Sequence, residues 1–113
     1  MPRLRFVLPV LLVALMFAMT ELAQASNVAN VRNGAPCEVR IQVASNNGTL
    51  YPEMSVPVGG TYSVKLLTNA ETVARIKVNG IWYVAPYGAA CVPLSTTCPS
   101  RLCYLGGQDW AVY

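Results

Sequence analysis

The residues of this chain most able to carry chemistry are its four cysteines, because the sequence contains no histidine. An even number of cysteines in a short chain that begins with an export signal is typical of two disulfides. A zinc site is the less favoured alternative, since structural zinc sites take their ligands in close pairs and Cys37 stands far from the rest. We expect no metal and no cofactor, and two disulfides formed by Cys37, Cys91, Cys98 and Cys103.

The spacing of the cysteines leaves three pairings open. Residues 99–102 form a short loop that a local bridge can close, so we expect Cys98 to pair with Cys103 and Cys37 to pair with Cys91. Loop-closure entropy assigns ~4 kcal/mol to the long bridge and ~2 kcal/mol to the short one. The long bridge is therefore predicted to contribute more to stability.

Catalysis is not expected from the residue types present. Histidine, the commonest general base near neutral pH, is missing, and cysteines held in disulfides offer no thiolate nucleophile. A glycosidase needs only two carboxylates, but the acidic side chains of the mature chain are isolated from one another: Glu38, Glu53, Glu71 and Asp109. We expect a protein that is not an enzyme.

The first 25 residues have the order of a secretory signal peptide. Arg3 and Arg5 give a basic start, residues 6–19 are almost wholly apolar, and Ala23-Gln24-Ala25 is a small-x-small cleavage site. The apolar run is shorter than the ~20 residues that span a membrane. We expect cleavage after Ala25 and a secreted protein with no membrane segment; entry into host cells is an alternative final location.

The mature chain, residues 26–113, carries six basic and four acidic side chains, a net charge of +2. So small an excess predicts neither a nucleic-acid partner nor attachment to an anionic membrane. Residues 26–36 are polar and rich in turn formers, and we expect them to form a flexible N-terminal arm. Residues 37–113 are then a single disulfide-stabilised domain.

Periodicity in residues 37–113 is that of β-strands. Apolar residues alternate with polar ones in several short runs, and Asn47-Gly48 and Asn79-Gly80 are hairpin turns. No apolar stripe at helical spacing occurs in this part of the sequence. The pattern predicts an all-β fold, a β-sandwich or a small barrel.

An edge strand over residues 50–58 is the predicted contact surface. Pro52 and Pro57 cannot donate hydrogen bonds within a sheet, which excludes the run from a sheet centre. Unpaired edges accept partner strands. We expect one face of this strand to bind the partner, with basic residues of neighbouring strands at the rim: Tyr51, Glu53 and Ser55, then Lys65, Arg75 and Lys77.

Two further features have a structural and a functional interpretation. Trp82, Tyr83 and Tyr87 surround the Asn79-Gly80 hairpin, and we favour core packing over a contact role, although neighbouring strand residues point to opposite faces. Asn47-Gly48-Thr49 is an N-glycosylation sequon, so Asn47 is the predicted glycosylation site if the source is eukaryotic.

Several short motifs resemble those of the MAX effectors, the small secreted fungal avirulence and ToxB-like proteins. These are Cys37 opening a strand, the turn at residues 56–60, the strand that follows it, the run 74–78, Cys91, and a terminal strand beginning Asp109-Trp110. The resemblance implies a six-stranded antiparallel β-sandwich with Cys37 bridged to Cys91. It also implies a monomer without a catalytic site that binds a host plant protein, such as an immune receptor or its decoy domain.

Two segments depart from that layout. The stretch between Gly60 and Cys91 is longer, so that the Asn79-Gly80 hairpin is an addition, and so is the loop between Cys98 and Cys103. The function we expect is that of a secreted virulence effector binding a host protein. The alternative is an extracellular binding or inhibitory module that recognises a carbohydrate or a protease.

Overall fold

The structure, a computed structural model, describes residues 27–113. The predicted signal peptide, residues 1–25, lies outside the described residues. Residues 27–113 contain no helix long and apolar enough to cross a membrane. They form strands β1 (Val28–Asn33), β2 (Val39–Ser45), β3 (Met54–Val56), β4 (Thr61–Lys65), β5 (Val73–Val78), β6 (Ile81–Val84), β7 (Cys91–Pro93), β8 (Arg101–Gly106) and β9 (Asp109–Val112).

The strands form two sheets, which confirms the predicted all-β sandwich. The five-stranded sheet has the order β4-β1-β9-β8-β7 and the four-stranded sheet the order β3-β2-β5-β6. Every pair is antiparallel except β1 with β9. The described residues thus hold nine strands, where the resemblance implied six and a wholly antiparallel pairing.

The core lies between the inner faces of the two sheets. Alternate strand residues supply it, and its largest fully buried side chains are Trp110, Tyr62, Ile41, Ile76 and Leu102. Burial of one such apolar side chain contributes ~1.5–3 kcal/mol. The Trp110 indole satisfies its own polar atom, since Nε1 donates to the carbonyl oxygen of Pro86 at 2.7 Å.

The prediction of a flexible arm at residues 26–36 is wrong for most of that segment. Val28–Asn33 is β1, which lies between β4 and β9 in the five-stranded sheet, with Ala29 and Val31 at 0% exposure. The asparagines that indicated a loop have partners here: Asn33 Nδ2 donates to the carbonyl oxygens of Cys37 at 2.8 Å and Val56 at 3.1 Å. Pairing with β4 and β9 makes this segment a central strand, and the hydrogen bonds of Asn33 satisfy its buried amide.

The expected disulfide pairing is also wrong. Cys37 is bonded to Cys98, with 6.3 Å between their Cα atoms, and Cys91 is bonded to Cys103, with 4.0 Å. Cys91 and Cys103 are register partners in the β7/β8 pair, so strand pairing brings their sulfurs together. Cys98 lies in the loop between β7 and β8 and is bonded to Cys37, so this bridge links that loop to the segment between β1 and β2, where the chain passes from one sheet to the other.

The hairpin at Asn79-Gly80 forms as the sequence predicts. Both residues have positive φ angles, 48° and 86°, which suit a two-residue turn of the primed type. The turn joins β5 to β6, and β6 is an edge of the four-stranded sheet. This hairpin sets the register of the site described next.

Candidate protein-binding face

The predicted edge strand is present but shorter than expected. β3 covers only Met54–Val56 and pairs with β2 at one edge of the four-stranded sheet. Ser55 lies on this strand and is exposed. Tyr51 precedes β3 and is buried at 6% exposure, so the expectation that it anchors a partner is wrong.

Tyr51 instead belongs to a buried polar network with Glu71. The Tyr51 hydroxyl lies 3.0 Å from both carboxylate oxygens of Glu71, and it accepts the Leu67 N–H at 3.1 Å. Thr68 N–H also donates to Glu71 Oε2, at 3.0 Å. The network ties the loop after β4 to the segment before β3, which is a structural role.

The ionisation of both groups follows from this environment. Burial alone would raise the pKa of Glu71, but hydrogen bonds from Ser45, Thr68 and Tyr51 outweigh it and hold that pKa below its ordinary value of 4.5. Burial is the main cause that raises the pKa of Tyr51. Glu71 is therefore a charged acceptor and Tyr51 a neutral donor near neutral pH.

Lys65 does not join the basic rim that the sequence suggested. It ends β4 in the five-stranded sheet, whereas Arg75 and Lys77 lie on β5 in the four-stranded sheet. The prediction placed the three cations on neighbouring strands because they follow one another along the chain, but in the structure Lys65 lies in a different sheet from Arg75 and Lys77.

The outer face of the four-stranded sheet brings together an aromatic ring and two cations. The register of β5 and β6 places Lys77 opposite Trp82 and Arg75 opposite Val84. The Arg75 guanidinium carbon lies 4.9 Å from the centroid of the Trp82 ring, and Lys77 Nζ lies 5.8 Å from it. Both distances are within the range of cation–π attraction. We call the residues of this surface the Trp82 face: Arg40, Glu53, Arg75, Lys77, Trp82 and Val84.

The charges of the Trp82 face are unequally paired. Glu53 Oε1 lies 2.8 Å from Arg40 Nη2, and Glu53 Oε2 lies 3.4 Å from Lys77 Nζ. Among residues 27–113, no carboxylate forms a salt bridge with Arg75, which is exposed. The face therefore presents a single unpaired cation against a tryptophan ring.

The sequence interpretation favoured core packing for Trp82, and a local signal could have predicted its position on the outer face. A two-residue turn at Asn79-Gly80 sets Val78 opposite Ile81, and counting outward pairs Lys77 with Trp82. Tyr83 points the other way and packs against the core, and its hydroxyl accepts the Ser95 N–H at 2.9 Å. The two adjacent aromatics thus have opposite roles.

Tyr87 belongs to a separate aromatic cluster at the edge of the core. Its ring centroid lies 5.1 Å from that of Tyr104 and 5.4 Å from that of Trp110. Its hydroxyl donates to the carbonyl oxygen of Val73, and burial is the main cause that raises its pKa. This arrangement agrees with packing, although Tyr87 remains 43% exposed.

Three of the four acidic side chains in residues 27–113 form structural contacts, and these differ from one side chain to the next. Glu53 forms the two salt bridges of the Trp82 face, Glu71 accepts from Tyr51, and Asp109 Oδ1 accepts from Asn30 Nδ2 at 2.8 Å. Within residues 27–113, no three histidine, cysteine, aspartate or glutamate side chains are grouped so that they could hold a metal ion. The expectation that the protein is not an enzyme stays a prediction.

Asn47 lies exposed in the turn after β2, where its Oδ1 accepts the backbone N–H of Thr49 at 3.1 Å and the Thr49 hydroxyl at 2.8 Å. Its glycosylation stays a prediction.

Comparison of the chain with models of protein families, with curated proteins and with solved structures gives no match. The resemblance to the MAX effectors stays a prediction as well.

Proposed function

We propose that this chain is a secreted virulence effector that binds a host plant protein through the Trp82 face and does no chemistry itself. The observation that carries the proposal is the half-buried Trp82 ring on the outer side of the sheet, beside an exposed and unpaired Arg75. Tryptophan and arginine are the residues most enriched at the energetic centres of protein interfaces.

The surroundings of Trp82 support a contact surface. Val84 is 77% exposed and Ile81 is 40% exposed, and both lie on the edge strand β6. An apolar edge strand left uncovered favours association with other chains. Two disulfides support export, because they persist in oxidising compartments.

The test is affinity capture from plant extract with the mature protein, compared with a Trp82→Ala variant. The matched control is Leu105→Ala, which removes an exposed apolar side chain, 53% accessible, from the five-stranded sheet. We expect Trp82→Ala to weaken binding of the captured protein by ~2 kcal/mol, the scale of an interface hot spot, and Leu105→Ala to leave it unchanged. Circular dichroism checks that both variants fold.

Two outcomes would count against the proposal. Equal capture by the Trp82→Ala variant would show that another surface binds the partner. Retention on a glycan or inhibition of a protease, with no plant protein captured, would favour the extracellular binding or inhibitory module instead.

A further inference from the structure

We propose that Arg75 is the specificity-determining residue of the Trp82 face, and that it takes a carboxylate from an acidic segment of the partner protein. The inference rests on the proposed function and adds the chemistry of the partner. Its observations are the salt bridges of Glu53 and the position of the Arg75 guanidinium.

Glu53 divides the cations of this face into two classes. Its single negative charge is shared between Arg40, at 2.8 Å, and Lys77, at 3.4 Å, so the charge of these two side chains is compensated in part within the molecule. Arg75 has no such carboxylate among the described residues. An acidic partner therefore gains more from Arg75 than from either neighbour.

The position of Arg75 suits recognition of a carboxylate. Stacking on Trp82 at 4.9 Å restrains the guanidinium before a partner arrives, and the N–H groups at its rim remain able to donate. A planar guanidinium matches a carboxylate with two parallel hydrogen bonds, which a lysine cannot form. Val84, opposite Arg75 in the register and 77% exposed, adds apolar surface that a bound segment would cover.

Charge also favours an acidic polypeptide over two other candidate partners of this face, a nucleic acid and a second copy of the chain. Nucleic acids are bound by several cations together, whereas two of the three cations of this face are already in contact with the carboxylate of Glu53. A second copy of the chain docked by the same face would bring two Arg75 side chains towards each other. An acidic segment on a different protein meets neither obstacle.

The experiment uses two capped peptides, hexaglutamate and its neutral counterpart hexaglutamine, titrated into ¹⁵N-labelled mature protein. We expect hexaglutamate to shift the Trp82 indole N–H and the Arg75 side-chain N–H resonances, and added salt to weaken the binding. Hexaglutamine should shift neither resonance. Oligothymidylate is the third probe, and it should bind no more tightly than hexaglutamate.

Three variants assign the effect to Arg75. Arg75→Gln should weaken hexaglutamate binding by at least about tenfold, and Arg75→Lys should weaken it severalfold, because the charge remains but the paired hydrogen bonds do not. Arg101→Gln is the matched control, since Arg101 lies 5.5 Å from the Tyr113 ring on the other sheet. It should change nothing, and each variant's spectrum shows whether it is folded.

A fourth variant tests the role assigned to Glu53. Glu53→Gln frees Arg40 and Lys77 from their carboxylate, so hexaglutamate should bind more tightly than to the unaltered protein. Weaker binding would contradict the division of cations described above.

The proposal is overturned if hexaglutamate binding is absent, if Arg101→Gln weakens it as much as Arg75→Gln does, or if Arg75-dependent binding is stronger to oligothymidylate. Capture of a plant protein that still depends on Trp82 would then leave the proposed function standing. If hexaglutamate binds through Arg75 but capture of the plant protein does not depend on Trp82, the proposed function is contradicted instead.

Discussion

The bridge between Cys37 and Cys98 is predicted to be the main covalent stabiliser of the fold. Cys37 and Cys98 are 61 residues apart, and Cys91 and Cys103 are 12 apart. Loop-closure entropy assigns ~4 kcal/mol to the first bridge and ~3 kcal/mol to the second. The second bridge also joins strands that backbone hydrogen bonds already hold together, whereas the first joins two segments that lie outside the strands.

We therefore expect the Cys37→Ala, Cys98→Ala variant to lose more stability than the Cys91→Ala, Cys103→Ala variant. Small domains have a total stability of ~5–10 kcal/mol, so loss of the Cys37–Cys98 bridge should leave a marginal fold. Urea unfolding followed by tryptophan fluorescence measures both variants. Equal midpoints, or a lower midpoint for the second variant, would refute the reasoning from loop length and strand pairing.

Peptide mapping tests the disulfide pairing itself, but the protein needs an additional trypsin cleavage site for the test to distinguish the pairings. The sequence has no lysine or arginine between Cys91 and Cys98, so the observed pairing and the one expected from spacing both give a single three-peptide cluster. Ser95→Lys, at an exposed position, introduces a cleavage site there. The pairing seen in the structure then gives peptide 33–40 joined to 96–101, and 78–95 joined to 102–113. Peptide 33–40 joined to 78–95 would refute it.

Three further predictions concern the buried network and the hairpin. Tyr51→Phe should lower the free energy of unfolding by ~1–3 kcal/mol in urea titrations, because the Leu67 N–H loses its buried acceptor, and it should not alter partner binding. Glu71 has a lowered pKa in the folded state, so its contribution is complete above its ordinary value of 4.5 and is lost as the pH falls through the lower folded-state pKa; urea midpoints measured from pH 7 to pH 2 should therefore fall less steeply for Glu71→Gln. Asn79→Ala should cost ~1–2 kcal/mol relative to Asn79→Gly in thermal unfolding, because the residue has a φ of 48°, which alanine disfavours.

The sequence by itself determined the features that depend on the local backbone. Alternation of apolar residues has the period of a strand wherever it occurs, so the all-β class could be read directly. Asn79-Gly80 demands positive φ angles, which makes the β5–β6 hairpin and its register a local property. Pro52 and Pro57 predicted a sheet edge because a residue without an N–H cannot pair in a sheet centre, and β3 lies at one.

Only the tertiary structure decided which distant segments meet. Cys98 is nearer to Cys103 in sequence, but the β7/β8 register places Cys91 opposite Cys103 and leaves Cys98 to Cys37. Lys65 and Arg75 are both outward-facing basic residues of alternating strands, yet the two lie in different sheets. The polar β1 becomes a central strand only because β4 and β9 pair with its two sides.

Some features of the candidate site could likewise be predicted from the sequence, and others required the tertiary structure. The opposition of Lys77 and Trp82 follows from the turn and could be counted from the sequence. The burial of Tyr51 could not, because it depends on Glu71 and Leu67, which another loop brings to its hydroxyl. The pairing of Glu53 with Arg40 and Lys77 could not be predicted either, since it requires the β2, β3 and β5 segments to assemble side by side; it leaves Arg75 with no carboxylate partner among residues 27–113. Local dihedral preferences are encoded residue by residue, whereas these contacts arise only once the sheets have formed.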